Sequence, residues 1–321
     1  MKYATYIDAR GAQRVAAVDI ADGRLIDLRA GGNQLWNRDE PGFQTMQDVV
    51  AGGNAVRDQA EDVVAHSKGD VPWAVPLDGA RLAAPLPVPQ QIRDFSVFEL
   101  HMRQAGAAMA RLRAERTGDK GPLPMPADIM LPEVFYKQPI YYKANRFNVV
   151  GANHDVQWPA YAKRLDYELE LAICIGTGGK NIAADEAHKH IFGYTIFNDF
   201  SARDAQEYEM SAPFGPAKGK DFDTGNAFGP WLVTADEIPD PYALRMVARV
   251  NGEEWSRGSS SGMVHRFEDM IAHVSREETL YPGELIGSGT VGGGCGLEIG
   301  RWLKPGDLVE LEIEGIGTLR N

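Results

Sequence analysis

Cysteine is scarce: Cys174 and Cys295 are the only two in 321 residues. Two are too few for a disulfide framework or a zinc quartet. Basic charge is also in deficit, with 33 Lys and Arg against 45 Asp and Glu and a net charge of -12. Such a field repels nucleic-acid phosphates and anionic lipid, so neither is expected as a partner. No apolar run is long enough to span a bilayer, and the opening residues 1–8 hold no apolar signal core. The expectation is a soluble chain in a reducing, cytoplasmic setting. None of the 7 histidines pairs at H-x-x-x-H or H-x-x-E-H spacing, which removes the helical zinc-protease motifs.

Glycine and proline are plentiful, at 35 and 19 residues, and they punctuate short β-like runs. Runs 15–20 and 24–28 flank Asp22-Gly23, a hairpin pair, and 244–250 runs into Asn251-Gly252, another. Residues 46–66 read as helical, interrupted at Gly52-Gly53. Pro85, Pro87 and Pro89 then break regular structure, so a small N-terminal domain over 1–89 and a larger domain over 90–321 are expected. Ser96-Val97-Phe98-Glu99 has the form of a capping box and predicts a helix to about residue 116. Strands are expected at 166–175, 194–198 and 308–313, with later helices at 186–192 and 267–275. This pattern predicts a strand-rich α+β fold and not a doubly wound one.

Two phosphate-binding look-alikes fall away. Gly287-Ser288-Gly289-Thr290-Val291-Gly292 matches G-x-G-x-x-G, but further glycines follow where a helix must open. Residues 215–220 resemble a P-loop only until Asp221 stands where a hydroxyl is needed.

The chemistry concentrates in three segments. In Leu165-Asp166-Tyr167-Glu168-Leu169-Glu170-Leu171, strand periodicity puts Glu168 and Glu170 on one face. That face is either a solvated polar surface or a hard-cation site, since paired buried carboxylates need a cation to neutralise them. Oxygen ligands suit Mg²⁺, Mn²⁺ or Ca²⁺ over zinc. In Phe197-Asn198-Asp199-Phe200-Ser201-Ala202-Arg203-Asp204-Ala205-Gln206, an apolar strand ends on a carboxylate, and Arg203 can pair with a substrate carboxylate or serve in an exposed ion pair. In 94–101, Asp94 leads into the helix that carries His101.

Together and in this order, Asp94-(six residues)-His101, Glu168-Leu169-Glu170 and the run 198–206 resemble the fumarylacetoacetate hydrolase family. His190-Ile191-Phe192-Gly193, Gly219-Lys220 and the tail 315–321 add to that resemblance, which covers the chain from about Gln91 onward. It implies a fumarylacetoacetase-like mixed β-sheet roll or barrel behind a small leading domain, acting as a homodimer on a small oxo acid or diketone. It further implies that Asp94, Glu168, Glu170 and Asp199 hold a divalent cation, Mg²⁺ or Mn²⁺. His101 then becomes the general base and Glu298 its orienting acid. Lys220 stabilises developing charge, and Arg203, Gln206, Tyr142 and Thr290 bind substrate. Thr224 matches a position near a structural cation. Met210 and Ala110 stand where true fumarylacetoacetases keep a tyrosine and an arginine, and Gln104 stands where short members keep a glutamate. The expected reaction is therefore hydrolysis of a C–C bond in a 1,3-diketone or acylpyruvate. Oxo-acid decarboxylation, hydration or isomerisation is the alternative within enzymes, and a non-catalytic metal-binding member the alternative outside them. The loops 116–132 and 210–217 are expected to set the pocket.

Because Glu168 and Glu170 share a face with no basic neighbour evident in sequence, chelation is expected to abolish turnover, and Mg²⁺ or Mn²⁺ to restore it. Assays of metal-stripped and reloaded protein check this, and full activity in the stripped sample refutes it.

Overall fold

The structure is a computed structural model describing residues 1–212 and 214–321; Pro213, in the run 210–217, lies outside the described residues. Ten strands form the spine of a twelve-stranded mixed sheet. From one end it runs Ala74–Pro76, Arg24–Asp27, Gln13–Asp19, Lys2–Ile7, Asn226–Thr234, Ile191–Asp199, Leu169–Ile175, Leu285–Gly287, Ile92–Phe95 and Tyr141–Ala144. This path is open among the described residues, so the sheet is a roll and the closed barrel does not form. A second, four-stranded antiparallel sheet is ordered Glu253–Ser259, Arg245–Val250, Val309–Ile313 and Gly317–Arg320. The fold is the expected strand-rich α+β type. Lys2–Ile7 pairs antiparallel with Asn226–Thr234, so the leading segment extends the sheet of the rest. No described helix is long and apolar enough to cross a membrane.

Local chemistry accounts for most of these elements. Asn251 at φ 53° and Gly252 at φ 79° form the tight turn of the hairpin 245–259, as the Asn-Gly pair predicts. Helices Met46–Ala51 and Gly53–Ala65 meet at the glycine pair. The helix Glu99–Thr117 forms, but not through the expected capping box. Phe98 is its N-cap without a side-chain bond, and Glu99 instead accepts from Arg103 at 2.8 Å and Tyr136 at 3.0 Å. Val97 and Phe98 are buried, so packing fixes this entry. The expected helix at 186–192 is only a 3₁₀ turn, Ala187–His190, before the strand Ile191–Asp199.

The strand Leu169–Ile175 is covered on both faces. Leu169, Leu171, Ile173 and Ile175 join the core under the second sheet, with Met246, Leu311 and Phe267. Ala172 and Cys174 join the core under the N-terminal helices, with Phe197, Phe228, Val49 and Val63. Glu170 shares the second face and is fully buried, which rules out the solvated alternative.

Phe197 and Phe228 are directly paired across the sheet, with ring centroids 4.2 Å apart and planes 5° from parallel. Phe197→Ala is expected to cost about 3–5 kcal/mol of stability, read from denaturant unfolding. A loss below about 1 kcal/mol would mean that this stack does not hold the inner face together.

Candidate active site

Strand register builds the site. Tyr142 pairs with Asp94, Asp94 with Gly287, and Gly287 with Ala172, so these four lie in one row across neighbouring strands. Glu170 lies two residues from Ala172 and pairs with Phe197, whose face Asp199 shares two residues on. Asp94, Glu170 and Asp199 thereby offer oxygens that all lie within 4.8 Å of one another, each buried. Gly287 is required at the centre of the row. A Cβ there would stand 2.5 Å from Asp94 Oδ1 and 3.0 Å from Glu170 Oε2. Gly289, at φ +81° and with its notional Cβ 2.2 Å from the Phe95 carbonyl oxygen, lets the following loop pass close to the strand.

The carboxylates are held from several sides. Tyr142 donates its hydroxyl to Asp199 Oδ2 at 2.6 Å. Gly289 N–H and Thr290 Oγ1 donate to Glu170 at 3.2 and 3.3 Å. Burial and the Asp199 charge push the Asp94 carboxyl well above its ordinary range, and burial and Asp94 do the same to Glu170. Asp94 Oδ1 and Asp199 Oδ1 are buried without a hydrogen-bond partner among the described residues. Like charges in close contact, hard oxygen donors and two orphaned oxygens fit a divalent cation such as Mg²⁺ or Mn²⁺.

Glu168 occupies a different electrostatic position. It precedes the strand, where its backbone bridges Cys295, and its side chain meets Lys220 at 2.5 Å and Arg203 at 2.8 Å. No basic residue adjoins it in sequence, yet two converge on it, because 203 and 220 return only through the fold. Burial opposes its charge, but Lys220 and Arg203 prevail and hold it below the usual carboxylate range. Lys220 also meets Asp199 Oδ2 at 2.5 Å and stays protonated despite its burial, through Asp199 and Glu168.

Arg203 is buried inside the protein. It contacts Asp166 Oδ2 at 2.8 Å and Glu168 Oε1 at 2.8 Å, and donates to Gln206 Oε1 at 3.0 Å. Asp166, which sequence reasoning did not single out, also accepts from Gly296 N at 2.8 Å and Leu297 N at 2.9 Å. It thereby ties the carboxylate strand to the short helix Gly296–Ile299. Its only signal was its place two residues before Glu168. Thr224 stands apart from this network, with its hydroxyl accepting from Gln157 N at 2.7 Å.

That short helix delivers Glu298 to His101. Ala108 and Leu112, on the helix Glu99–Thr117, pack with Cys295 and Leu297 in one apolar cluster. His101 Nδ1 then lies 3.2 Å from Glu298 Oε1. Glu298 is fixed by the backbone N–H groups of Gly293 at 3.1 Å and Cys295 at 3.0 Å. Gln104 accepts from the same Gly293 N–H at 3.0 Å, so it supports the Glu298 loop. With Nδ1 turned to Glu298, Nε2 is the nitrogen left to meet a substrate.

The comparisons agree with this architecture. The family description "Fumarylacetoacetate (FAA) hydrolase C-terminal" matches residues 108–321. The oxaloacetate tautomerase YisK of Bacillus subtilis is 30% identical over 315 residues, covering 94% of this chain and 93% of that protein. The human mitochondrial oxaloacetate tautomerase FAHD2A is 40% identical over 186 residues, which span 58% of this chain and 59% of its own length. The structure of maleylpyruvate hydrolase from Sphingobium, solved with manganese(II) and pyruvate, superposes at a TM-score of 0.71, with 22% identity and 100% and 97% coverage, and so shares the fold.

Gly287→Ala inserts a methyl group between Asp94 and Glu170. It is expected to weaken Mg²⁺ or Mn²⁺ binding about 10–100-fold by calorimetric titration, with the far-ultraviolet spectrum unchanged. Unchanged affinity would show that the cation sits elsewhere.

Proposed function

The chain belongs to the fumarylacetoacetate hydrolase family, and on that premise we propose that it is a divalent-cation-dependent enzyme that shifts a proton on the carbon beside the carbonyl of a small 2-oxo acid, interconverting keto and enol forms of an oxaloacetate-like substrate. The observation that carries this reading is the pairing of a buried three-carboxylate cluster, Asp94, Glu170 and Asp199, with a histidine backed by a buried glutamate. A cation bound there supplies positive charge where the substrate oxygen gains electron density. His101 Nε2 takes the carbon-bound proton, and the Glu298 charge stabilises the imidazolium that results. Tyr142, Gln206 and Thr290 border the substrate space as binding groups. Arg203, with its donors on Asp166, Glu168 and Gln206, is a positioning residue.

C–C hydrolysis, the reaction expected from the motifs, needs the same base and also a donor for a second oxyanion. Lys220 is the assigned donor, but its ammonium is directed at Glu168 and Asp199. That commitment favours the proton shift over hydrolysis. Two free, buried cysteines fit a reducing compartment. A homodimer remains the assembly we expect from the family.

The test uses oxaloacetate in deuterated water with Mg²⁺ or Mn²⁺. Catalysed exchange at the methylene carbon, together with faster enol-to-keto conversion, is expected. His101→Ala should lower kcat about 10²–10⁴-fold while cation affinity stays within about twofold. Glu298→Gln should impair turnover strongly, because an amide cannot stabilise the imidazolium. Cleavage of acylpyruvates with ¹⁸O entering the released acid, and no exchange with oxaloacetate, would make hydrolysis the better reading. Carbon dioxide release without exchange would make it a decarboxylase.

A further inference from the structure

Cys295 has no part in the chemistry above, yet it stands beside the base pair. Its Sγ lies 3.2 Å from Glu298 Oε2 and is completely buried. A ring nitrogen of His101, Cys295 Sγ and a Glu298 oxygen all lie within 4.8 Å of one another. His101 is itself only 8% exposed, and its Nδ1, turned to Glu298, makes no hydrogen bond among the described residues. We propose that His101, Cys295 and Glu298 form a second, softer cation site that takes Zn²⁺ and, when filled, disables the base.

The donor set decides the metal. Nitrogen, thiolate sulfur and one carboxylate oxygen make a three-ligand zinc set with a fourth position open, whereas the all-oxygen cluster of Asp94, Glu170 and Asp199 suits hard cations. Ligands about 2.0–2.3 Å from a tetrahedral zinc ion stand about 3.3–3.5 Å from each other. Nδ1 stands 3.2 Å from Oε1 and Sγ 3.2 Å from Oε2 of the same carboxylate, so the donors are already gathered around Glu298 and would have to draw together on one of its oxygens to close around an ion. Charge also closes: Zn²⁺, one thiolate, one carboxylate and a neutral imidazole sum to zero, which lowers the cost of burial. On binding, the Sγ–H proton leaves to solvent and the S–Zn bond replaces it, with no change of oxidation state. Bound zinc would fix the His101 ring by Nδ1 and draw away the Glu298 charge that its protonated form needs. The inhibition rests on the proposed role of His101; the binding does not.

The experiment separates these two. Protein kept in excess Mg²⁺ is titrated with Co²⁺ as a spectroscopic probe and then with Zn²⁺. A near-ultraviolet thiolate-to-cobalt charge-transfer band, bleached by one equivalent of Zn²⁺, is expected. Cys295→Ser should lack the band and bind Zn²⁺ at least about tenfold more weakly by equilibrium dialysis. Zn²⁺ should also inhibit that variant less, as a fraction of its own zinc-free rate. If Cys295→Ser does not fold, Cys174→Ala must retain the band, since the chain has only these two cysteines. Cobalt bound without a thiolate band, loss of the band in Cys174→Ala, or equal zinc affinity in Cys295→Ser and the parent each overturns the site. A band with no zinc inhibition would leave the site standing and remove His101 as the base.

Discussion

Mutual repulsion among buried carboxylates is the constraint on which this molecule is built. Asp94, Glu170 and Asp199 sit within 4.8 Å of one another, and Glu168 is close by, all out of contact with bulk water. Burial alone would neutralise them, and their proximity adds to that pressure. The protein divides the problem. On one side Lys220 and Arg203 neutralise Glu168 and part of Asp199 with resident positive charge. On the other, Asp94 and Glu170 have only neutral donors and each other, and orphaned oxygens remain. The unneutralised side is where an external cation lowers the energy most. The resident cations therefore define the cation site as much as the ligands do, because they leave one region of the cluster uncompensated.

That division depends on strand register. A slip of one residue in Leu169–Ile175 would turn Glu170 to the face of Leu171 and Ile173, into the apolar core below the second sheet. The register is held by apolar packing on both faces, including the Phe197–Phe228 stack two residues from Asp199. The precision of a polar site is thus supplied by hydrophobic contacts lying along the same strands.

Much of this was legible from local pattern. The Glu168–Glu170 alternation predicts a shared face because side chains alternate along a strand, and the Asn251-Gly252 pair predicts its turn because both residues tolerate positive φ. The motif run 198–206 carried the family. Other features depended on partners far apart in sequence. Gly287 reads as one glycine in a rich tract until register sets it between Asp94 and Ala172. Asp166 reads as one more acid until Arg203 and the amides of Gly296 and Leu297 converge on it. Ser96 fits a capping motif, but burial of Val97 and Phe98 decided the helix entry instead. Local rules found the turns and the alternation, and long-range pairing decided which acids acquired cations.

The Asp166 junction has a consequence for how the two halves of the site work together. Its carboxylate bonds the guanidinium that neutralises Glu168 and the amides that begin the helix carrying Glu298. Arg203 is thereby in contact at once with Glu168 and with the carboxylate that holds the helix behind His101. The carboxylate cluster and the His101–Glu298 pair are thus joined through one buried ion pair, Arg203 with Asp166, whose hydrogen bonds reach toward both. Lys220 holds Asp199 by Oδ2 and leaves Oδ1 of the same carboxylate unpartnered among the described residues, and Lys220 also contacts Glu168. Lys220, Glu168, Arg203 and Asp166 thus form one continuous chain of charged contacts from Asp199 to the amides of Gly296 and Leu297, in the single turn of helix that carries Glu298.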